Sequence, residues 1–309
     1  MARRVPPSTD FATVLIEGPW EHRFVSAGGL RFHVAAAGPD DAPLVVLLHA
    51  IPQFWWSMRH QLTAIANAGY RTVAMDLRGF GASDKPPEGY TLPTLAADVA
   101  GVIGALGAAK AVVVGQGTGG AVAWTMTSQA PQALHGIVPI SSPHPGSRLP
   151  KRRLLVSPRA FGQIGRLRTP SFATRAMAKG PMALKLLHTW GARSDWLGQE
   201  DAARYAEALR IPFAADKAVD LVRWMARPNW SAAVNRFRAG VRVPAPVPVL
   251  HLQGNQDHLL RVSAMAIPGL GGADYQFQTL GGVGHFACEE ADDKVNAAIL
   301  RWLAGLPEY

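Results

Sequence analysis

AVVVGQGTGGAVAW, residues 111–124, decides the reading of the whole chain. A β-branched apolar run, Ala111 to Val114, has the composition of a buried strand, and the small residues from about Thr118 onward open a helical pattern. Between them Gly115-Gln116-Gly117-Thr118-Gly119-Gly120 leaves room only for a very sharp strand-to-helix turn. Two kinds of site use such a turn: a nucleophile elbow and a phosphate-binding loop. An elbow expects Ser, Asp or Cys at its apex, where this chain has Gly117. A dinucleotide loop is matched by Gly115, Gly117 and Gly120, but it requires an acidic residue about 20 positions further on to hold a ribose. No carboxylate occurs between Asp98 and Asp195, so the dinucleotide reading lacks its ribose partner.

Outward from the turn, strands and helices alternate. HRFVSAGGLRFHVAAAG (22–38) reads as two short strands joined at Gly28-Gly29. LVVLLHA (44–50) and YRTVAMD (70–76) are continuous apolar runs suited to strands covered on both faces. Helical spacing occupies 57–68, and Leu95, Val99, Ile103 and Leu106 share one helix face. A helix over 119–129 and a strand at 135–141 complete this half. The alternation predicts a mostly parallel sheet flanked by helices. After Ser142 the rhythm changes to helical segments over about 100 residues, near the size of a small domain. Strand patterns return at 246–254 and 275–282, before the chain closes with the amphipathic helix DDKVNAAILRWL; Cys288, three residues after His285, is expected at the start of the last helix.

The composition, 48% hydrophobic and 17% charged over 309 residues, is that of a globular chain long enough for one large α/β core carrying an insertion. A single cysteine, Cys288, cannot form an internal disulfide, which agrees with a reducing compartment. The basic start is too short and too broken in its apolar part for a signal peptide or a spanning helix. The expected location is cytoplasmic. The net charge of +9 is concentrated between Arg148 and Arg193, through Lys151, Arg152, Arg153, Arg159, Arg166 and Arg168. The plain explanation is a solvated basic face; the sharper one is a surface for anionic headgroups or an acidic partner, which would make the protein membrane-peripheral. No aromatic-interleaved basic strand or recognition helix accompanies the charge, so nucleic acid is not expected. Nor is there a metal-ligand pattern, and no cofactor is expected.

With these elements in place, further motifs point in one direction. The chain resembles the α/β-hydrolase family, and within it the epoxide-hydrolase and haloalkane-dehalogenase branch. The family's His-Gly-x-Pro turn matches His49-Ala50-Ile51-Pro52. Its Asp-x-Arg-Gly-x-Gly-x-Ser-Asp turn matches Asp76 through Asp84. The resemblance puts the family's late acid on Asp257 in GNQDHL and its histidine on His285 in GVGHFACEE, in the order expected for this fold. It covers nearly the whole chain and implies a core of residues 1–142 and 244–309 with a helical cap inserted at 143–243.

The same resemblance marks departures. Epoxide hydrolases attack with an aspartate in Gly-His-Asp-Trp-Gly-Gly, at the position of Gly117, and glycine has no atom that can form the ester. The group also polarises its substrate with two cap tyrosines, whereas Tyr205 is the only tyrosine in 143–243. Dehalogenases hold a halide with an Asn or Trp pair, and the corresponding positions are Ile51 and Thr118. The implied site is therefore a His285–Asp257 dyad beside Gly117, with backbone donors of Ile51 and Thr118 forming an oxyanion hole. His49, Pro52, Phe54, Trp55, Gln116, Ser142 and Tyr205 are expected to line a pocket for a small apolar or amphipathic ligand. Two functions follow as alternatives: a ligand-binding or interaction protein without covalent hydrolysis, and an enzyme using the dyad as a general base.

Overall fold

The structure, a computed structural model, describes residues 9–147, 158–167, 170–193, 195–226 and 231–307. Eight strands form one sheet: β1 (Glu21–Ala27), β2 (Leu30–Ala37), β3 (Leu44–Leu48), β4 (Arg71–Met75), β5 (Ala111–Gln116), β6 (Leu134–Ile140), β7 (Val249–Gly254) and β8 (Tyr275–Leu280). Their order is β1-β2-β4-β3-β5-β6-β7-β8. β1 and β2 form an antiparallel hairpin, and β2 meets β4 antiparallel; every pairing from β4 to β8 is parallel. The alternation of patterns predicts such a mostly parallel sheet, and the arrangement is the α/β-hydrolase one that the family resemblance implies.

Burial follows sheet position. Every residue of β3, β5 and β7 is buried, while β1 and β8, at the two edges, are largely half-exposed. Strands covered on both faces carry uninterrupted apolar runs, which is why LVVLL and AVVV were legible as strands. Helices α1 (Arg59–Asn67), α2 (Leu92–Ala105) and α3 (Thr118–Gln129) cover the first half. The stretch 57–68 is a short 3-10 turn, Trp55–Met58, running into α1. Thr91 caps α2 by accepting from the Thr94 amide, a normal N-cap arrangement.

Between β6 and β7 the described residues form only helices: α4 (Pro158–Leu167), α5 (Pro170–Ala178), α6 (Pro181–Trp190), α7 (Gln199–Ala208), α8 (Ala214–Met225) and α9 (Ala232–Gly240). RAMAKGPMALKLLHTW, which reads as one helical stretch, is divided between α5 and α6. Gly180 adopts φ 90° there and Pro181 starts the next helix, because proline has no amide hydrogen to continue the first. Of the basic run, Arg148, Lys151, Arg152, Arg153 and Arg168 lie outside the described residues, as does the side chain of Arg159. Short α10 (Pro268–Gly271), α11 (Ala287–Glu290) and α12 (Asp292–Leu303) complete the chain. Cys288 is thus in α11, a separate turn, and not at the start of the closing helix. No described helix is long and apolar enough to cross a membrane.

β5 lies between β3 and β6, so the turn at its carboxyl end opens at the middle of the sheet, where open α/β sheets bind ligands. Two loops support it. Asp76 accepts from the Trp55 amide with one oxygen and from His33 Nδ1 and the Ala82 amide with the other. A side chain at Gly81 would collide with that carboxylate, its Cβ lying 2.0 Å from Asp76 Oδ2. The Asp76–Asp84 motif is therefore a brace for the neighbouring turns. Arg78 adds a two-pronged pair to Asp98 at 2.7 and 2.6 Å.

Candidate functional site

Gly117 sits between β5 and α3 with φ 53° and ψ −109°, in the positive-φ region that side chains seldom adopt. Its amide donates to Ile140 O at 2.8 Å, and its carbonyl accepts from the Ala121 amide at 3.0 Å. The glycines around it are required by close approach. A Cβ on Gly115 would lie 2.3 Å from the Gly119 carbonyl carbon, one on Gly119 2.3 Å from Leu48 O, and one on Gly120 2.5 Å from Ser142 Cβ. Position 117 differs. A Cβ there would meet side-chain atoms instead, Ala50 Cβ at 3.0 Å and His285 Nε2 at 3.4 Å.

His285 is 3% exposed. Its Nδ1 donates to Asp257 Oδ2 at 2.9 Å. The same oxygen accepts from Gln253 Nε2 at 2.8 Å, and Oδ1 accepts from the Leu259 and Leu260 amides, each at 2.8 Å. Four donors converge on Asp257, an arrangement that suits an acceptor-only carboxylate. With Nδ1 engaged as a donor, neutral His285 carries its free lone pair on Nε2. Among the described residues Nε2 has no hydrogen-bond partner, and it faces Gly117. The edge of Trp190, from α6, packs on the imidazole at 5.7 Å, and Trp190 O accepts the His285 amide at 3.2 Å. Glu290 holds the same loop through the amides of Gly284, Phe286 and Ala192. Gln253, Trp190 and Glu290 were not among the sequence candidates; the pair of carboxylates in HFACEE, embedded in an apolar stretch, was the available signal for Glu290.

The same stretch supplies a second cluster. The Glu289 side chain is 3% exposed, and burial pushes its carboxyl up to about 7 against the opposing pull of Arg59. It accepts from Arg59 Nη1 and the Tyr205 hydroxyl, each at 2.7 Å, and from Gln53 Nε2. Gln53 Oε1 in turn accepts from Gln116 Nε2 at 3.3 Å, and Gln116 Oε1 accepts from the Cys288 amide at 2.8 Å. A polar chain thus runs from α7, through Tyr205, to the residue preceding Gly117.

The expected pocket residues divide on this geometry. Tyr205 is fully buried with its hydroxyl directed to Glu289, and Phe54 packs edge-on against its ring at 5.7 Å. Burial, then Glu289, keeps its phenol well above its ordinary value. Trp55 departs from its expected place on the pocket wall: its indole donates to Val14 O and packs against Trp20 and His22, under the β1–β2 hairpin. His49 supports its turn, with Nδ1 donating to Ala50 O and Nε2 accepting from the Leu77 amide. Burial lowers its pKa, which agrees with a neutral ring. Pro52 follows a cis peptide bond from Ile51. Ser142 packs beside Gly120, and its Oγ, like that of Ser141, has no partner among the described residues.

Among the described residues the amides of Ile51 and of Thr118, which follows Gly117 in the chain, have no hydrogen-bond partner. The Thr118 hydroxyl likewise makes none. Cys288 is fully buried and its thiol is pushed up by burial and then by Glu289, the reverse of an activated thiolate. No group of three or more candidate metal ligands occurs among the described residues.

Residues 43–292 match the family described as alpha/beta hydrolase fold. The AB hydrolase superfamily protein YfhM of Bacillus subtilis is 44% identical over 125 residues, covering 40% of this chain and 44% of that protein. The match therefore spans less than half of that relative. Epoxide hydrolase A of Mycobacterium tuberculosis is 29% identical over 326 residues, covering 92% of this chain and 97% of that protein. Among solved structures, Epoxide Hydrolase A from Mycobacterium thermoresistibile superposes with a TM-score of 0.77 at 25% identity, covering 94% of this chain and 100% of that one.

Proposed function

This chain belongs to the α/β-hydrolase fold family and has epoxide-hydrolase-like homologues, and from that premise we propose that it is a ligand-binding member that has lost covalent hydrolysis. One observation carries the proposal: the elbow position facing His285 Nε2 is Gly117. In the epoxide hydrolases that this chain resembles, an aspartate at that turn attacks the substrate. Glycine offers neither an attacking oxygen nor a carbonyl for water to hydrolyse. In a triad acting as a unit, removal of the nucleophile costs on the order of 10⁶-fold in rate.

What remains suits binding. The free amides of Ile51 and Thr118 supply two donors beside Gly117, suited to a carbonyl or carboxylate oxygen. Trp190, whose ring packs on His285, supplies apolar surface nearby. The favoured ligand is a small molecule with an apolar body and one anionic or carbonyl head. The expected result is that purified protein turns over no epoxide or aryl ester above background, while a native extract yields a bound molecule of that class by mass spectrometry. Turnover that disappears in His285→Ala would overturn the proposal.

A second function is favoured by one specific feature, the free Nε2 of a histidine whose Nδ1 is held by Asp257. Such a ring can take a proton from water or from an activated carbon without a covalent step. This enzyme would be a hydrolase acting by direct water attack, or a cofactor-free lyase or oxygenase. Its signature is His285-dependent exchange of an acidic C–H proton with deuterated solvent. No exchange on a panel of carbon acids would exclude the proton-abstraction form.

A further inference from the structure

Two residues at the elbow depart from the pattern that the family resemblance predicts, and they abut. Ala50 stands where the His-Gly-x-Pro turn has glycine, and Gly117 stands at the apex of the elbow. A Cβ on residue 117 would lie 3.0 Å from Ala50 Cβ but 3.9 Å from Ala50 Cα. Carbon atoms in favourable contact stand about 3.5–4.0 Å apart. The methyl group, and not the backbone behind it, is therefore the tight neighbour on that side. His285 Nε2, at 3.4 Å, is the other close atom.

Neither backbone is free to retreat. Ala50 is 1% exposed, and its carbonyl accepts from the Gln53 amide at 2.8 Å and from His49 Nδ1 at 3.0 Å. His49 is itself fixed by the Leu77 amide and by the Gly119 amide on its carbonyl. Across the gap, Gly117 is held by Ile140 O and by the first turn of α3. Contacts between two braced backbones are not relieved by sliding, and close-packed interiors feel a single added carbon.

We infer that Ala50 and Gly117 are a matched pair: the Ala50 methyl closes over the elbow so that glycine fits at 117, and a side chain is readmitted there only when residue 50 is glycine. The inference rests on the proposed reading of 117 as the lost nucleophile position for its chemical consequence, though not for its packing. That consequence is that Gly117→Asp alone does not restore attack on an epoxide, whereas Ala50→Gly with Gly117→Asp does. In the restored step a carboxylate oxygen bonds to an epoxide carbon and the ring C–O bond breaks. The ring oxygen takes a proton from water, so the protein gains the whole mass of the epoxide.

The packing half is tested by a double-mutant cycle on thermal midpoints, using Gly117→Ala, Ala50→Gly and the pair. Strain from positive φ at 117 is common to both backgrounds and cancels. The midpoint should fall in Gly117→Ala by several degrees more than it falls when the same change is made in Ala50→Gly. The chemical half uses styrene oxide and intact-mass measurement on Gly117→Asp, with and without Ala50→Gly, each carrying His285→Ala to preserve the ester. One added styrene oxide is expected only with Ala50→Gly present. Equal midpoint losses in both backgrounds would overturn the matched pair. Coupled midpoints without any adduct would leave the pair standing and remove position 117 as the nucleophile site; equal adducts with and without Ala50→Gly would do the reverse.

Discussion

Tyr205, on the inserted helix α7, and Glu289, after β8, share a hydrogen bond of 2.7 Å donated by the phenol hydroxyl. It ties the helical segment to the sheet within a cluster that also contains Arg59, Gln53 and Asp201. Tyr205→Phe removes one of the donors to a buried carboxylate while keeping the ring. We expect a loss of about 1–3 kcal/mol in urea unfolding. Wild-type stability in Tyr205→Phe would mean that the remaining donors suffice.

Arg59 reaches both Glu289 at 2.7 Å and Asp201 at 2.9 Å. Arg59→Ala leaves the buried Glu289 without its cation. Breaking such a pair costs about 3–5 kcal/mol, so Arg59→Ala should be more damaging than Tyr205→Phe. Urea midpoints of the two variants, measured side by side at pH 7.5, check the order.

Stability should fall on acidification. Burial, aided by Arg242, lowers His144 from 6.5 to about 4, and burial with His144 nearby lowers His251 to about 3. Each ring stays neutral in the fold while the unfolded chain binds a proton below 6.5. Their contribution is complete above pH 6.5 and is lost as pH falls toward 4, by roughly 3 kcal/mol for His144. Glu289 acts in the opposite sense. Its carboxyl is raised from 4.5 to about 7, so its contribution is present at low pH and lost as pH rises through that window. Thermal midpoints from pH 7 to 5 should decline, less steeply in His144→Asn and more steeply in Glu289→Gln. Equal slopes in the wild-type chain and in His144→Asn would contradict the assignment of His144.

Asp257→Asn tests the dyad. Both carboxylate oxygens accept two N–H donors, so either orientation of an amide sets its NH₂ against two donors. A stability loss of at least about 2 kcal/mol is expected, together with a change in the ring-nitrogen NMR signals of His285. Unchanged signals would mean that Asp257 does not set the tautomer.

The basic run from Arg148 to Arg193 leads us to propose contact with anionic membranes. Binding to vesicles containing phosphatidylserine should weaken steeply between low and physiological salt. Equal retention on neutral vesicles would reject it.

The sheet and the dyad were legible in the sequence because their signals are local. LVVLL and AVVVGQ declare buried strands by composition, and GNQDHL and GVGHFACEE carry Asp257 and His285 within short recognisable stretches. The Glu289 cluster was not legible, since residues 53, 59, 116, 205 and 289 converge only through the fold. Trp55 was misread for a related reason. Its position beside the His49 turn suggested a pocket, but the β1–β2 hairpin and Val14 O draw the indole the other way. The Asp76–Asp84 pattern was legible as a motif, while its work as a brace shows only when the Asp76 hydrogen bonds are traced.

The tight backbone contacts around the elbow pass through Gly115, Gly119 and Gly120, against Leu48 O and Ser142, whereas the nearest neighbours of a Cβ on Gly117 are the side chains of Ala50 and His285. The shape of the turn and the group presented to His285 are therefore carried by different residues. A change at the apex can add or remove a side-chain atom beside His285 and leave the glycine scaffold standing, so the shape of the turn is no guide to its chemistry.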